Sequence, residues 1–310
     1  MSTRLPGGLR LGRVAGVDVL VRPSLLVMAV VLVALFAPQF ELVGYSSPVL
    51  AALVLVVVLY VSVFLHECAH LVAARLYRMP VSSITLHLLG GETVIEGESR
   101  TPAQELWTSV VGPLTSLALG GLSLVAAPHT PPAVEGILLA SAYVNIVVGA
   151  VNLVPGLPLD GGHVLRAVLW GLLRDQSLAT VVAARCGQVF AVGALALPFV
   201  LARTRGTDVQ PFDVVLAALI AWFLWSGAVQ SLQATRWAAA LDVIVARDLA
   251  VAEPPPEGAP PLPVDLRGVA LLRSVAMNPA PVYALVDEGG RPVGSLRAAD
   301  VDAAYRRATA

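Results

Sequence analysis

The sequence predicts a polytopic α-helical membrane protein of about six transmembrane helices, with a membrane-associated β-hairpin and a small α/β tail. Three observations predict it. The 310 residues are 57% hydrophobic and only 13% charged, with a mean hydropathy of +0.79, a balance typical of chains that cross a bilayer repeatedly. Apolar stretches long enough to cross a hydrocarbon core of about 30 Å recur between Pro23 and Leu232. Beyond Leu241 the composition turns polar and Pro-rich, which divides the chain into a membrane domain, residues 1–240, and a tail, residues 241–310.

Taken in order, Leu9–Arg22 (LRLGRVAGVDVLVR) alternates around Gly12 and Gly16 and reads as a short hairpin. Met1 to Arg22 carries four Arg and no apolar core, so no cleavable signal peptide is expected. Spans follow at Pro23–Pro38, Pro48–Tyr77, Pro102–Ala127, Ala133–Val154, Leu178–Ala202 and Phe212–Leu232. Between the second and third, Val81–Glu96 alternates apolar and small polar residues about Gly90-Gly91, which predicts a hairpin turning on those glycines. Beside the second span, an exposed edge of this hairpin would pair with an extended peptide; an ordinary membrane-surface hairpin is the alternative. In the third span, Gly112-Pro113, Ser116 and Gly120-Gly121 read as close helix packing rather than ligand contact.

Arginine gives the orientation. Arg4, Arg10, Arg13 and Arg22 precede the first span, Arg75, Arg78 and Arg100 follow the second, Arg166 and Arg174 the fourth, and Arg236 and Arg247 the sixth. With six spans all these fall on one side, which makes that side cytoplasmic and implies a multi-pass protein of the cell (plasma) membrane with a cytoplasmic tail. Arg203 and Arg205 run against the pattern. The tail opens with a Pro-rich linker, Glu253–Pro263, and continues as strand, Gly-Gly turn, strand and helix through PVYALVDEGGRPVGSLRAADVDAAY. So short a unit barely sustains its own core and is expected to pair, making the protein a homodimer.

The chemistry lies in the second span, where His66, Glu67 and His70 form HExxH. Residues four apart share a helix face, so the two imidazoles can hold one metal ion. Glu67, one step round, can take a proton from water at that ion and pass it to a leaving amine. Each charged group at membrane depth costs about 2.5–3.5 kcal/mol on insertion scales, so a metal site is favoured over an idle polar face. Counted from Leu50 at about 1.5 Å per residue, His66 lies roughly 24 Å into the core. Cys68 points away from the face shared by the histidines and reads as a small filler. It and Cys186 are the only cysteines, and no disulfide framework is indicated.

A second constellation, Asn152-Leu-Val-Pro155-Gly-Leu-Pro158-Leu-Asp160-Gly161-Gly162-His163, ends the fourth span. Its prolines break the helix and Gly161-Gly162 permit an unusual backbone, placing irregular chain at membrane depth, where it is tolerated only inside protein or at a wet cavity. Asp160 is the natural third ligand, leaving one open position for water; capping a helix that starts near His163 is the alternative. Asn152 either donates a hydrogen bond to an oxyanion or to the substrate backbone, or packs between helices. His163 is kept out of the metal set, and His87 and His129 read as hairpin and loop residues. A net charge of -1 and the lack of a basic patch exclude nucleic acid.

HECAH in one span with NLVPGLPLDGG in a later one resembles the site-2 protease family of intramembrane zinc metalloproteases, in the bacterial six-span branch with a C-terminal cystathionine-β-synthase (CBS) tail. The resemblance covers nearly the whole chain. It implies one zinc ion per chain on His66, His70 and Asp160, with Glu67 as general base and Asn152 as a substrate-orienting or oxyanion residue. It further implies cleavage of transmembrane segments of membrane-held regulators such as anti-sigma factors. Leu65 stands where the family often has Phe, a change of packing that leaves the chemistry intact. CBS modules bind adenine nucleotides as pairs, whereas this tail shows one repeat. A nucleotide there would need two chains, or Asp242–Leu271 serving as a degenerate first half. The alternative from another class is an ion or solute transporter with a CBS-type regulatory tail. A metal-free binding protein is a third reading, against which the intact ligand set argues. Glu67 discriminates, since a protease needs it and a zinc scaffold does not.

Overall fold

The computed structural model describes residues 8–87, 90–97 and 99–309. The chain divides into two compact units, Met1–Ala228 and Val229–Ala310, so the division falls earlier than the change of composition at 241 and lies inside a helix. Among the described residues six helices are long and apolar enough to cross a membrane.

The first unit opens with strands β1 (Leu9–Val14) and β2 (Val17–Val21), joined by Ala15-Gly16, both with positive φ as a tight hairpin turn of this twist requires. Helix α1 (Ser24–Leu42) runs through Pro38, where the sequence suggested an end. Helix α2 (Pro48–Leu76) starts on a proline at its first position, where the missing N–H costs nothing, and carries Arg75 in its last turn. Strands β3 (Val81–His87) and β4 (Gly90–Ile95) follow. The two expected hairpins are one sheet of order β1-β2-β3-β4, because β2 pairs parallel with β3 from Asp18↔Ser83 to Val21↔Leu86. Pairing of His87 with Gly90 makes Gly90 and Gly91 strand residues instead of the expected turn; Leu88 and Leu89 between the strands lie outside the described residues. Val17 and Ile84 pack the sheet against Leu71 of α2, with Cys68 at the edge of that cluster as the small filler expected.

Helix α3 (Pro102–Ala126) is capped by Thr101, whose hydroxyl accepts from the Gln104 N–H, and packs on α2, on α4 (Pro132–Asn152) and on α5 (Asp160–Leu173). Gly120 lies against Ala142 and Ile146 of α4, the close packing that a small residue serves. Glu105 near the start of α3 meets Arg166, and Gly149 approaches the Pro113 carbonyl. Thus α5 continues in the direction of α4 after an irregular loop. At 14 residues, or about 21 Å, α5 could not cross alone.

Helix α6 (Gln176–Arg205) is capped by Asp175 and ends at Gly206 with φ of 65°. Arg203 and Arg205, which run against the arginine pattern, sit in its last turn, where cations suit the helix dipole. Helix α7 (Pro211–Asp242) follows. In the second unit β5 (Pro261–Pro263) pairs parallel with β6 (Val282–Val286), which pairs antiparallel with β7 (Pro292–Arg297). The end of the expected linker is therefore an edge strand, a place where prolines are tolerated. With α8 (Gly268–Met277) and α9 (Ala298–Thr309) these strands enclose Leu262, Leu271, Tyr283, Leu285, Leu296 and Val301.

Candidate metal centre

His66 and His70 lie one turn apart on α2, both buried. Their outer nitrogens are fixed by α3. Nδ1 of His70 donates to the Thr108 carbonyl at 2.6 Å, and Nδ1 of His66 meets the Ser116 hydroxyl at 2.9 Å. The Thr108 carbonyl can only accept, so it selects the His70 tautomer that leaves Nε2 free as a ligand, and the Ser116 hydroxyl holds the His66 ring with its Nε2 turned the same way.

Both Nε2 atoms face Asp160, at 3.1 Å from His66 and 3.4 Å from His70 to Oδ2. The three ligand atoms lie within 4.8 Å of one another. Zinc bonds of about 2.0–2.2 Å in a tetrahedron place ligand atoms about 3.3–3.6 Å apart, close to these spacings. Room at the nitrogens depends on Gly112 of α3: a Cβ there would stand 2.2 Å from His70 Nε2 and 2.5 Å from His66 Nε2. Two imidazoles and one carboxylate at these spacings fit a zinc ion held by three protein groups.

Asp160 stands just beyond the loop that follows α4. Asp160 is itself the first residue of α5, whose N-cap is Leu159, with no side-chain capping bond; its carboxylate serves the histidines, not the helix end. The loop is held by Leu157 N–H donating to the Ala183 carbonyl of α6. Gly161 and Gly162 take ordinary helical backbone instead of the expected unusual one. They are required by close approach, since Cβ atoms there would meet the backbone of Leu153 and Leu157 at 2.3 Å. Asn152 closes α4, half-buried, and among the described residues its amide has no hydrogen-bond partner. His163 stands one turn beyond Asp160, with Nδ1 3.6 Å from Glu105, outside the metal cluster.

Glu67 is 5% exposed and meets β4. The Thr93 hydroxyl lies 2.7 Å from its Oε2, and Gly91, two residues back on the same face, leaves room for its side chain, since a Cβ at Gly91 would stand 2.4 Å from Cγ. Strand β3 is paired on both sides, so the free edge expected of this hairpin is that of β4, beside Glu67.

Sequence reasoning assigned Gly112 and Ser116 to packing; both face the histidines. A signal was present, because Gln104, Thr108, Gly112 and Ser116 recur every fourth residue and make a small, polar stripe on one face of an apolar helix. Thr93 and Gly91 left no comparable mark.

Peptidase family M50 matches residues 54–131 and 129–194, which contain every ligand of this site. A candidate zinc metalloprotease of Synechocystis sp. is 30% identical over 260 residues, covering 80% of this chain and 65% of that protein. One of Mycobacterium tuberculosis is 39% identical over 180 residues, covering 56% of this chain and 44% of its own length. The chain thus spans less than two thirds of the length of these relatives. Among solved structures, the site-2 protease from Methanocaldococcus jannaschii has a TM-score of 0.52 at 24% identity, over 73% of this chain and 95% of that one. Residues 54–194 thus match peptidase family M50, and the chain shares the fold of that site-2 protease.

Proposed function

We propose that the chain is an intramembrane zinc endopeptidase that hydrolyses a peptide bond within or near a transmembrane segment of a membrane-held regulator, such as an anti-sigma factor. The observation that carries this reading is the cluster of His66, His70 and Asp160, with both histidines buried in the membrane-spanning α2 and Glu67 beside them on the same helix. Zinc bound there supplies Lewis acidity, polarising the scissile carbonyl and acidifying water. Glu67 takes the proton from the attacking water and returns it to the leaving amine, with Thr93 holding its carboxylate. Asn152, at the mouth of the loop, orients the substrate backbone or its developing oxyanion. Purified protein is expected to cleave a membrane regulator encoded nearby, and a chelator to stop it; cleavage indifferent to metal removal would overturn the proposal.

A peptide bond in an intact helix is shielded, so the substrate must unwind beside the metal. The free edge of β4 supports an extended peptide there by strand addition. The N–H groups of Glu92, Val94 and Glu96 face β3, so that of Ile95 points to the free edge; proline at Ile95 is expected to lower cleavage about 2- to 10-fold, the worth of one hydrogen bond, without changing zinc content. The loss should shrink for substrates with helix-breaking residues near the cut, and a parental rate for this variant would place the substrate elsewhere.

The same reading puts the protein in the plasma membrane with residues 241–310 in the cytoplasm as a CBS-like regulatory tail. Its small core favours association with a second tail, and an adenine nucleotide is the ligand that such a pair would bind. Light scattering in detergent reads the mass directly, and a strict monomer would refute the pairing.

A further inference from the structure

We propose that Glu105 is a positioning residue for the metal site, acting with Arg166 as a clamp that sets where Asp160 stands. The inference rests on the metal reading above and adds residues outside the ligand set. Glu105, on α3, is 2% exposed, and its Oε1 accepts from the Nε–H of Arg166 on α5. Its second oxygen, Oε2, is buried with no hydrogen-bond partner. A carboxylate in that setting is costly unless a fixed cation faces it, so the pair holds the two helices in one register. His163, one turn before Arg166 on α5, lies 3.6 Å from the same Oε1.

What this register controls is the third ligand. Among the described residues the Asp160 carboxylate has no polar partner but the two imidazoles, so the placement of α5 fixes it. Six residues of helix, about 9 Å, separate Asp160 from Arg166 and transmit a shift of one to the other. Helix α3 also orients both imidazoles, through Thr108 and Ser116. With Glu105 it becomes the common frame on which all three ligands are set, although none of them belongs to it. Asp160 follows an irregular loop of six residues beyond Leu153, and Glu105–Arg166 is the ion pair that ties α5 to α3.

The test measures metal, not cleavage. The full chain in detergent is loaded with zinc or cobalt, and release to a chelator is followed together with the cobalt visible spectrum, which reports coordination geometry. Glu105→Gln keeps the shape and removes the charge; Arg166→Lys keeps the charge and removes the fork. Both are expected to weaken zinc binding about 10- to 100-fold, the usual cost of losing an outer-shell partner, and to alter the cobalt spectrum. Arg247→Gln, which breaks an exposed pair with Asp265 in the second unit, serves as the control and should leave both readouts unchanged. Should Glu105→Gln fail to fold, Arg166→Lys decides alone. A folded variant with parental zinc release and spectrum overturns the clamp and leaves the metal reading standing, whereas a parent that binds no zinc overturns both.

Discussion

Glu67→Gln is expected to keep the fold and the zinc while losing peptide hydrolysis about 100- to 10,000-fold, the range that general acid–base catalysis contributes. That loss corresponds to about 3–5 kcal/mol of barrier. Zinc should stay because the Glu67 carboxylate is not among the three clustered ligands. The fold should stay because the amide has the shape of the carboxylate and still offers the Thr93 hydroxyl an oxygen. What disappears is the proton acceptor. His66→Ala fails differently, by losing the metal, so elemental analysis separates the two variants at equal inactivity. Undiminished turnover by Glu67→Gln would remove Glu67 from the proton path and reopen the reading of the site as a transport pathway.

Much of this architecture is legible in the sequence because membrane proteins obey few and severe constraints. Six apolar runs declare themselves by length, and HExxH inside one of them stands out because charge at that depth needs a purpose. Asp160 was legible for a related reason: prolines and glycines at membrane depth mark backbone that must line something. Missing from the sequence was partnership between elements. The parallel pairing of Asp18–Val21 with Ser83–Leu86 joins segments separated by two whole spans, and no local pattern announces it. For the same reason Gly90-Gly91 suggested a turn, when what demands Gly91 is the side chain of Glu67 from another element. Glu105 looked like an ordinary acidic residue in a helix first turn, and only the fold brings Arg166 to it.

Gly112→Ala is expected to abolish zinc binding in a protein that remains folded. The added methyl would stand 2.2 Å from His70 Nε2, 2.6 Å from His70 Cε1 and 2.5 Å from His66 Nε2, inside any permissible contact. Neither ring can swing aside cheaply, because Nδ1 of His70 is held by the Thr108 carbonyl and Nδ1 of His66 by Ser116. Displacing either imidazole breaks one of these bonds and spoils the ligand geometry, for which a loss of at least 10- to 100-fold in zinc affinity is a lower bound. Alanine's better helix propensity, worth about 1 kcal/mol over glycine, offsets part of the strain on α3. The contrast is Gly120→Ala on the same helix, where a Cβ meets Ile146 at 2.7 Å and the Ala142 carbonyl at 3.1 Å, away from the metal. That variant should lose about 1–3 kcal/mol of stability to overpacking and keep full zinc. Thermal unfolding in detergent beside elemental analysis reads both outcomes. A Gly112→Ala protein that is destabilised yet fully zinc-loaded would return this glycine to the packing role its sequence context suggests, and with it the claim that α3 leaves room for the ion.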